Sequence, residues 1–235
     1  MPPSRDVRPE IPISWGPRDA VAVYLMAGGA TLYLGILLRT VHSLRGPAGE
    51  AVGGFIQESL LIAVVVWWIR TYGDGNLHSL GYPPRRPWGD VWSGLGVGVL
   101  AVVADVLVAV TVNALVRIVT GHEPHRPPSV TNDLHGAWTP AVAFVAVVMA
   151  PLGEETLFRG FILQGLERGL TRWRAILISA AFFAFVHVYP LAMPSVFVIG
   201  ILFALLYLRR RSLLATMTAH ATVNLVVTLV AISNH

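Results

Sequence analysis

The fold class this sequence predicts is all-α: a polytopic integral membrane bundle. Three observations predict it. Of 235 residues, 54% are hydrophobic and only 13% charged, where soluble domains average about 25% charged. The apolar residues gather into runs close to the ~20 that a spanning helix needs. All 17 basic residues are arginine, and they divide unevenly between the two sides that alternating spans define.

Taken in order, residues 1–19 are polar and carry no apolar core or cleavage site. They read as a cytoplasmic N-terminal tail rather than a signal peptide. Residues 20–235 then form a single transmembrane helical domain. Its runs are Ala20–Leu38, Ala51–Ile69, Val91–Val116, Ala141–Gly165, Trp173–Val188, Leu191–Leu208 and Leu213–Ile232. That makes seven spans, and an eighth helix arises if the fourth run breaks at Pro151–Gly153. Arg159 falls inside a span; Arg39, Arg45, Arg117 and Arg126 lie on the side opposite the N-terminus, and the other twelve of the 17 share the N-terminal side. By the positive-inside rule the N-terminus is cytoplasmic. Trp67, Trp68, Trp88, Trp92, Trp138 and Trp173 fall at span ends, as an aromatic belt requires.

Composition narrows the functional classes. There is no cysteine, which excludes disulfides, thiolate catalysis and Cys-based zinc sites. The arginines sit at span ends and in loops rather than on one face, so no nucleic-acid partner is expected. Arginine-only basicity with abundant Ala, Val and Gly points to a GC-rich bacterial genome and so to a bacterial plasma membrane. Leu80–Trp88 is a proline-stiffened connection. The loop of residues 120–140 contains His122-Glu123-Pro124-His125, whose spacing is wrong for His-Glu-x-x-His and which a proline interrupts; it reads as ordinary loop. Gly94, Gly96 and Gly98 in the third span suit close helix packing.

The chemistry lies in Met149–Gly165, MAPLGEETLFRGFILQG, where Glu154, Glu155 and Arg159 follow directly on an apolar run. Each such charge costs about 2.5–3.5 kcal/mol at the centre of a membrane helix. Glu155 and Arg159 are four apart and share a helix face. Glu154 is rotated about 100° away, which leaves it free for proton chemistry. His187 and His220 lie deep in later runs, with Phe183 four before the first and Asn224 four after the second. Polar faces on three membrane helices must turn toward one another or toward a water-filled cavity. A carboxylate and an imidazole there can hold a water and take its proton. A second imidazole and a carboxamide can donate to the oxyanion that forms when water adds to an amide.

The patterns Glu-Glu-x-x-x-Arg (Glu154, Glu155, Arg159), Phe-x-x-x-His (Phe183, His187) and His-x-x-x-Asn (His220, Asn224) resemble, in order and separation, the motifs of the CPBP intramembrane proteases. These are the CAAX prenyl endopeptidases and their bacterial Abi, or bacteriocin-processing, relatives. The resemblance spans residues 141–224, the expected catalytic core. It implies an endopeptidase acting in or near the bilayer on a peptide or membrane-protein substrate. Glu154 would be the general base with His187 its partner on the water, and His220 with Asn224 the oxyanion site. Glu155 and Arg159 would support them, and Phe183 would shape the pocket. The family has been described both as metalloproteases and as metal-independent glutamate proteases. The lack of a His-x-x-x-His pair favours no cofactor; the alternative is a zinc site of Glu154, His187 and His220.

Two other readings compete: a proton-coupled transporter, which would show paired discontinuous helices, and a non-enzymatic membrane chaperone or immunity protein that keeps the motifs for packing. Glu58, beside Gln57 in the second span, and Asp105 in the third lie outside the motifs and read as interhelical bonds or cavity lining. At 1.5 Å per residue, His220 lies about 12 Å and His187 about 21 Å from the N-terminal-side ends of their spans. A shared site therefore requires the fifth helix to shift or tilt. The site is expected to open toward the cytoplasmic half.

Overall fold

The computed structural model describes residues 13–40, 46–73, 75–84, 86–122 and 136–233. Their seven helices, which we number in chain order, are α1 (Pro17–Thr40), α2 (Pro47–Tyr72), α3 (Pro87–Thr120), α4 (Thr139–Glu167), α5 (Arg172–Phe185), α6 (Met193–Arg210) and α7 (Leu213–Ser233). There is no strand among the described residues, and a 3₁₀ turn, Leu77–Leu80, lies between α2 and α3. Prolines stand in the first turn of α2, α3, α4 and α6, where a missing N–H costs nothing. Residues Glu123–His125 of the histidine-rich loop motif lie outside the described residues, as do residues 1–12.

Six of the helices are long and apolar enough to cross a membrane, and α5 is the exception. The predicted fifth span reached Val188, but α5 has 14 residues and ends at Phe185. That is about 21 Å against a hydrocarbon core of about 30 Å. Beyond it the chain turns through Val186–Ala192 into α6, with Val188 in the left-handed region at φ 56°. His187 therefore sits in a turn and not in a helix.

No eighth helix forms, because α4 runs unbroken past Pro151. Its backbone widens into π-helix at Val145–Met149 and again at Thr156–Leu163, on either side of the segment that carries both glutamates. The Ala150 N–H reaches back five residues to the Val145 carbonyl. The ladder is thus already out of its usual register where Pro151 withholds a donor.

The main core forms around the second half of α4. Every residue from Glu155 to Leu166 is buried, because α1, α2, α5, α6, α7 and the Leu77–Leu80 turn all pack against this stretch. Trp15 joins them, stacked on Phe161 at 4.9 Å and donating its indole N–H to the Phe161 carbonyl at 3.0 Å. The predicted polar tail therefore ends inside the bundle. The six tryptophans expected at span ends all lie close to helix termini, and Trp67, Trp88, Trp92, Trp138 and Trp173 are exposed.

Polar bonds lock this face. Gln164 donates to the Ser79 carbonyl at 2.6 Å, and Tyr207 donates to the Leu80 carbonyl at 3.1 Å. Arg210 pairs with Asp90 at 2.6 Å, and Arg211 with Glu167 at 2.9 Å. Gly81, at φ 96°, passes so near the start of α7 that an added Cβ would lie 3.3 Å from the Leu213 nitrogen. Leu213 is fully buried as a result, so α7 begins below the surface where α5 begins at it.

On the other flank, α3 lies along α7 through Gly94 and Gly98, where a Cβ would collide with Thr218 and Thr222. Gly96 has nothing within 4 Å of the same position and takes no part in the seam, since two residues along a helix is over half a turn.

Candidate active site

Glu155 is the knot of the structure. Its side chain is 0% exposed and its Oε1 accepts from Arg159 Nη1 at 2.7 Å, the i,i+4 pair that the spacing predicts. The same oxygen lies 3.0 Å from His220 Nδ1. Arg159, 1% exposed, also donates from Nη2 to the Gly200 carbonyl at 3.4 Å. Its guanidinium stands 4.2 Å over the Phe183 ring and 5.2 Å from that of Phe203. Burying both charges is affordable only because each finds several partners; an ion pair without them loses more in desolvation than it gains.

Phe183 of α5 holds the cluster together. Its ring centroid is 5.1 Å from Phe158, 5.0 Å from the His187 ring and 5.9 Å from the His220 ring. The two histidines thus flank one phenyl ring at a common depth. The predicted depth mismatch disappears because the two helices start at different levels: α7 begins buried behind Gly81, so its eighth residue, His220, meets Phe183 in the last turn of α5.

Both histidines are oriented through Nδ1. His187 Nδ1 is 2.8 Å from the Phe183 carbonyl. A carbonyl can only accept, so Nδ1 carries the hydrogen and Nε2 is the free acceptor. His187 is exposed at the mouth of the cluster. His220 is buried, with Nδ1–H directed to the Glu155 carboxylate and Nε2 facing away from it.

Glu154 is half-buried, and its Oε2 is buried without a hydrogen-bond partner. It follows Gly153, whose backbone lies against Glu58 of α2. Asn224 donates Nδ2–H to the Ala146 carbonyl at 2.7 Å, in the first π segment of α4. The structure therefore brings Glu155, Arg159, Phe183, His187 and His220 into one connected cluster. Asn224 is anchored on α4 at Ala146, before the glutamates, and Glu154 stands beside the knot rather than in it. His220 is tied to Glu155, a bond that sequence spacing did not foresee. Phe203 and the Gly200 carbonyl, both in the uniformly apolar α6, also escaped it.

Directly beneath, toward the N-terminal face, Tyr82 of the connecting loop has its hydroxyl 3.3 Å from Thr156 Oγ1 and 3.4 Å from Met217 Sδ. Burial pushes its phenol above the ordinary range, and the Thr156 bond opposes that. This side is sealed by Leu80, Phe161, Leu163, Leu166 and Tyr207. On the N-terminal side, where the opening is expected, these neighbours are buried and Tyr82 is half-buried, while His187 is the exposed member of the cluster.

Among the described residues no three of His, Cys, Asp or Glu are grouped so as to hold a metal ion. Glu154, His187 and His220 are not gathered into one ligand set, and no step below is routed through a metal.

Residues 136–226 match the family model of the type II CAAX prenyl endopeptidase Rce1-like proteins. The matched stretch begins just before α4, ends within α7 and contains every motif residue; α1 to α3 lie outside it. It is the kind of protein the three motifs resemble, and it supports a membrane-integral CAAX-type protease in general. No curated protein and no solved structure matches the chain.

Proposed function

We propose that this chain is an intramembrane endopeptidase that cleaves a peptide bond with a water activated by Glu154 and His187. The observation that carries this is Glu155: one buried carboxylate holds both Arg159 and His220, and so leaves its neighbour Glu154 without a cation of its own. A carboxylate oxygen without a hydrogen-bond partner is what a general base needs, and the oriented imidazole of His187, with its free Nε2, is the partner we assign to it.

The steps follow from the atoms. Water held between Glu154 and His187 Nε2 adds to the scissile carbonyl carbon as Glu154 takes its proton. The carbonyl oxygen becomes an oxyanion. His220 is available to it through Nε2, the ring nitrogen that the Glu155 bond leaves free, which donates when it carries a hydrogen. The second N–H of Asn224 supplies another donor while the first holds Ala146. Collapse breaks the C–N bond, and the proton on Glu154 passes to the leaving amine. Water and one amide become one acid and one amine.

From the arginine bias we read the N-terminal face as cytoplasmic, and from the arginine-only composition we take a bacterial plasma membrane as the place of action. A transporter is disfavoured by α4, which widens but does not break, whereas a midplane transport site is expected at interrupted helices. The test is mass spectrometry of membrane-derived peptides from cells carrying the intact protein, Glu154→Ala or His187→Ala. General acid–base catalysis contributes about 10²–10⁴-fold, so the product peptides should vanish in both variants while thermal unfolding in detergent is unchanged. Equal release from all three proteins would leave the motifs as packing and favour a chaperone or immunity role.

A further inference from the structure

Glu58 stands in the middle of α2, 3% exposed, in a segment long and apolar enough to span a membrane. Its Oε1 accepts from the Gln57 carboxamide at 3.2 Å, but its Oε2 is buried with no hydrogen-bond partner. An acid so placed must be used or neutralised. What faces it is α4 at the catalytic pair. A Cβ added to Gly153 would meet Glu58 Oε2, would lie 2.9 Å from the Glu58 carbonyl oxygen and 3.1 Å from its Cα. The two backbones thus touch one residue before Glu154. The charged groups on the adjoining stretch of α4 are Glu154, next to Gly153, and Arg159, which Glu155 already holds. The carboxyl groups of Glu58 and Glu154 each have a buried Oε2 without a hydrogen-bond partner.

We propose that Glu58 is a positioning residue for Glu154: the two carboxyl groups share one proton, carried on Glu58, so that Glu154 remains the ionised one. Two carboxylates that share a water-poor site cannot both ionise. The proton resides on Glu58 because that side is the more deeply buried and has only a neutral carboxamide beside it, whereas Glu154 is half-buried. The protonated Oε2 of Glu58 becomes a donor, and the orphan oxygen of Glu154 is the acceptor facing it. Gly153 is what permits the approach. Both groups keep their atoms; the single proton stays on Glu58 and is donated as a hydrogen bond.

This rests on the reading of Glu154 as the general base, and the experiment keeps the two separable. Infrared spectra of the full chain in lipid nanodiscs are recorded at neutral pH for the native protein, Glu58→Gln and Glu154→Gln. The native spectrum should contain a protonated-carboxyl carbonyl band that Glu58→Gln removes and Glu154→Gln shifts in frequency. A spectrum unchanged by Glu58→Gln overturns the proposal, as does a Glu58 band that stays in place in Glu154→Gln. Peptide release provides the second reading. Glu58→Ala should move the acid limb of its pH profile upward, because Glu154 loses its donor, and Glu58→Gln, which keeps a donor, should restore it. An acid limb unmoved by Glu58→Ala also counts against the proposal. Should no peptide depend on Glu154 at all, the protease reading fails, and the infrared arm still decides whether Glu58 and Glu154 share a proton.

Discussion

The two halves of this bundle are made from the same helices and the same kinds of residue, yet they differ in what surrounds them. Toward the N-terminal face, α4 is buried residue after residue from Glu155 to Leu166, and α1, α6 and α7 carry most of their buried residues in the half nearest that face. Toward the opposite face, Val106, Leu107, Val110, Leu115 and Ile118 of α3 and Leu225, Leu229 and Val230 of α7 are exposed. Inside a membrane, apolar side chains are as comfortable in lipid as against each other, so hydrophobicity alone does not draw helices together. The closed half is held by small residues, backbone hydrogen bonds and buried ion pairs. The open half has few of these. The candidate site lies on the boundary, braced from below and accessible from above.

The largest expected effect is on the closed side of that boundary. Arg159→Ala strands the Glu155 carboxylate among apolar groups and should cost about 3–5 kcal/mol, read as a large drop in the unfolding midpoint in detergent. A midpoint within a degree or two of the native one would mean that the knot does not hold the bundle. Phe183→Ala removes the ring that Arg159, His187 and His220 share, and a loss of about 3 kcal/mol is expected in denaturant unfolding. A third probe compares glycines two residues apart. Gly98→Val forces α3 off α7 at Thr222 and should cost about 1–3 kcal/mol, while Gly96→Val, which meets nothing, should stay within about 0.5 kcal/mol. The smallest effect belongs to the open half, where Leu107→Ala should change stability by no more than about 0.5 kcal/mol. A large loss there would show that a partner or a further layer covers it. Accessibility sharpens the same contrast: the chain has no cysteine, so Val188→Cys should react with a polar thiol reagent while Leu163→Cys resists it.

Much of this was legible in the linear chain. The six long helices could be read from run length, and the Glu155–Arg159 pair from a spacing of four. The fifth helix could not, because Val186 and Val188 are as apolar as what precedes them; only its packing against α6 and the left-handed turn at Val188 end it at Phe185. The break expected at Pro151–Gly153 did not occur, since a π segment accommodates the proline and the crowding by Glu58 fits Gly153. Gly94 and Gly98 are indistinguishable in composition from Gly96, and only the face each presents to α7 separates them.

What the sequence determined by itself is the class and the inventory: a helical membrane bundle, and the acids, imidazoles, guanidinium and carboxamide that it places at fixed helical intervals. Those follow from local rules, because apolar run length and the 3.6-residue turn need no knowledge of neighbours. Which oxygen receives His220, which half of the bundle closes, and how deep α7 starts were decided only by the tertiary structure. Each depends on atoms 65 or more positions apart, such as His220 and Glu155 or Gly81 and Leu213, and no local interval encodes such a meeting.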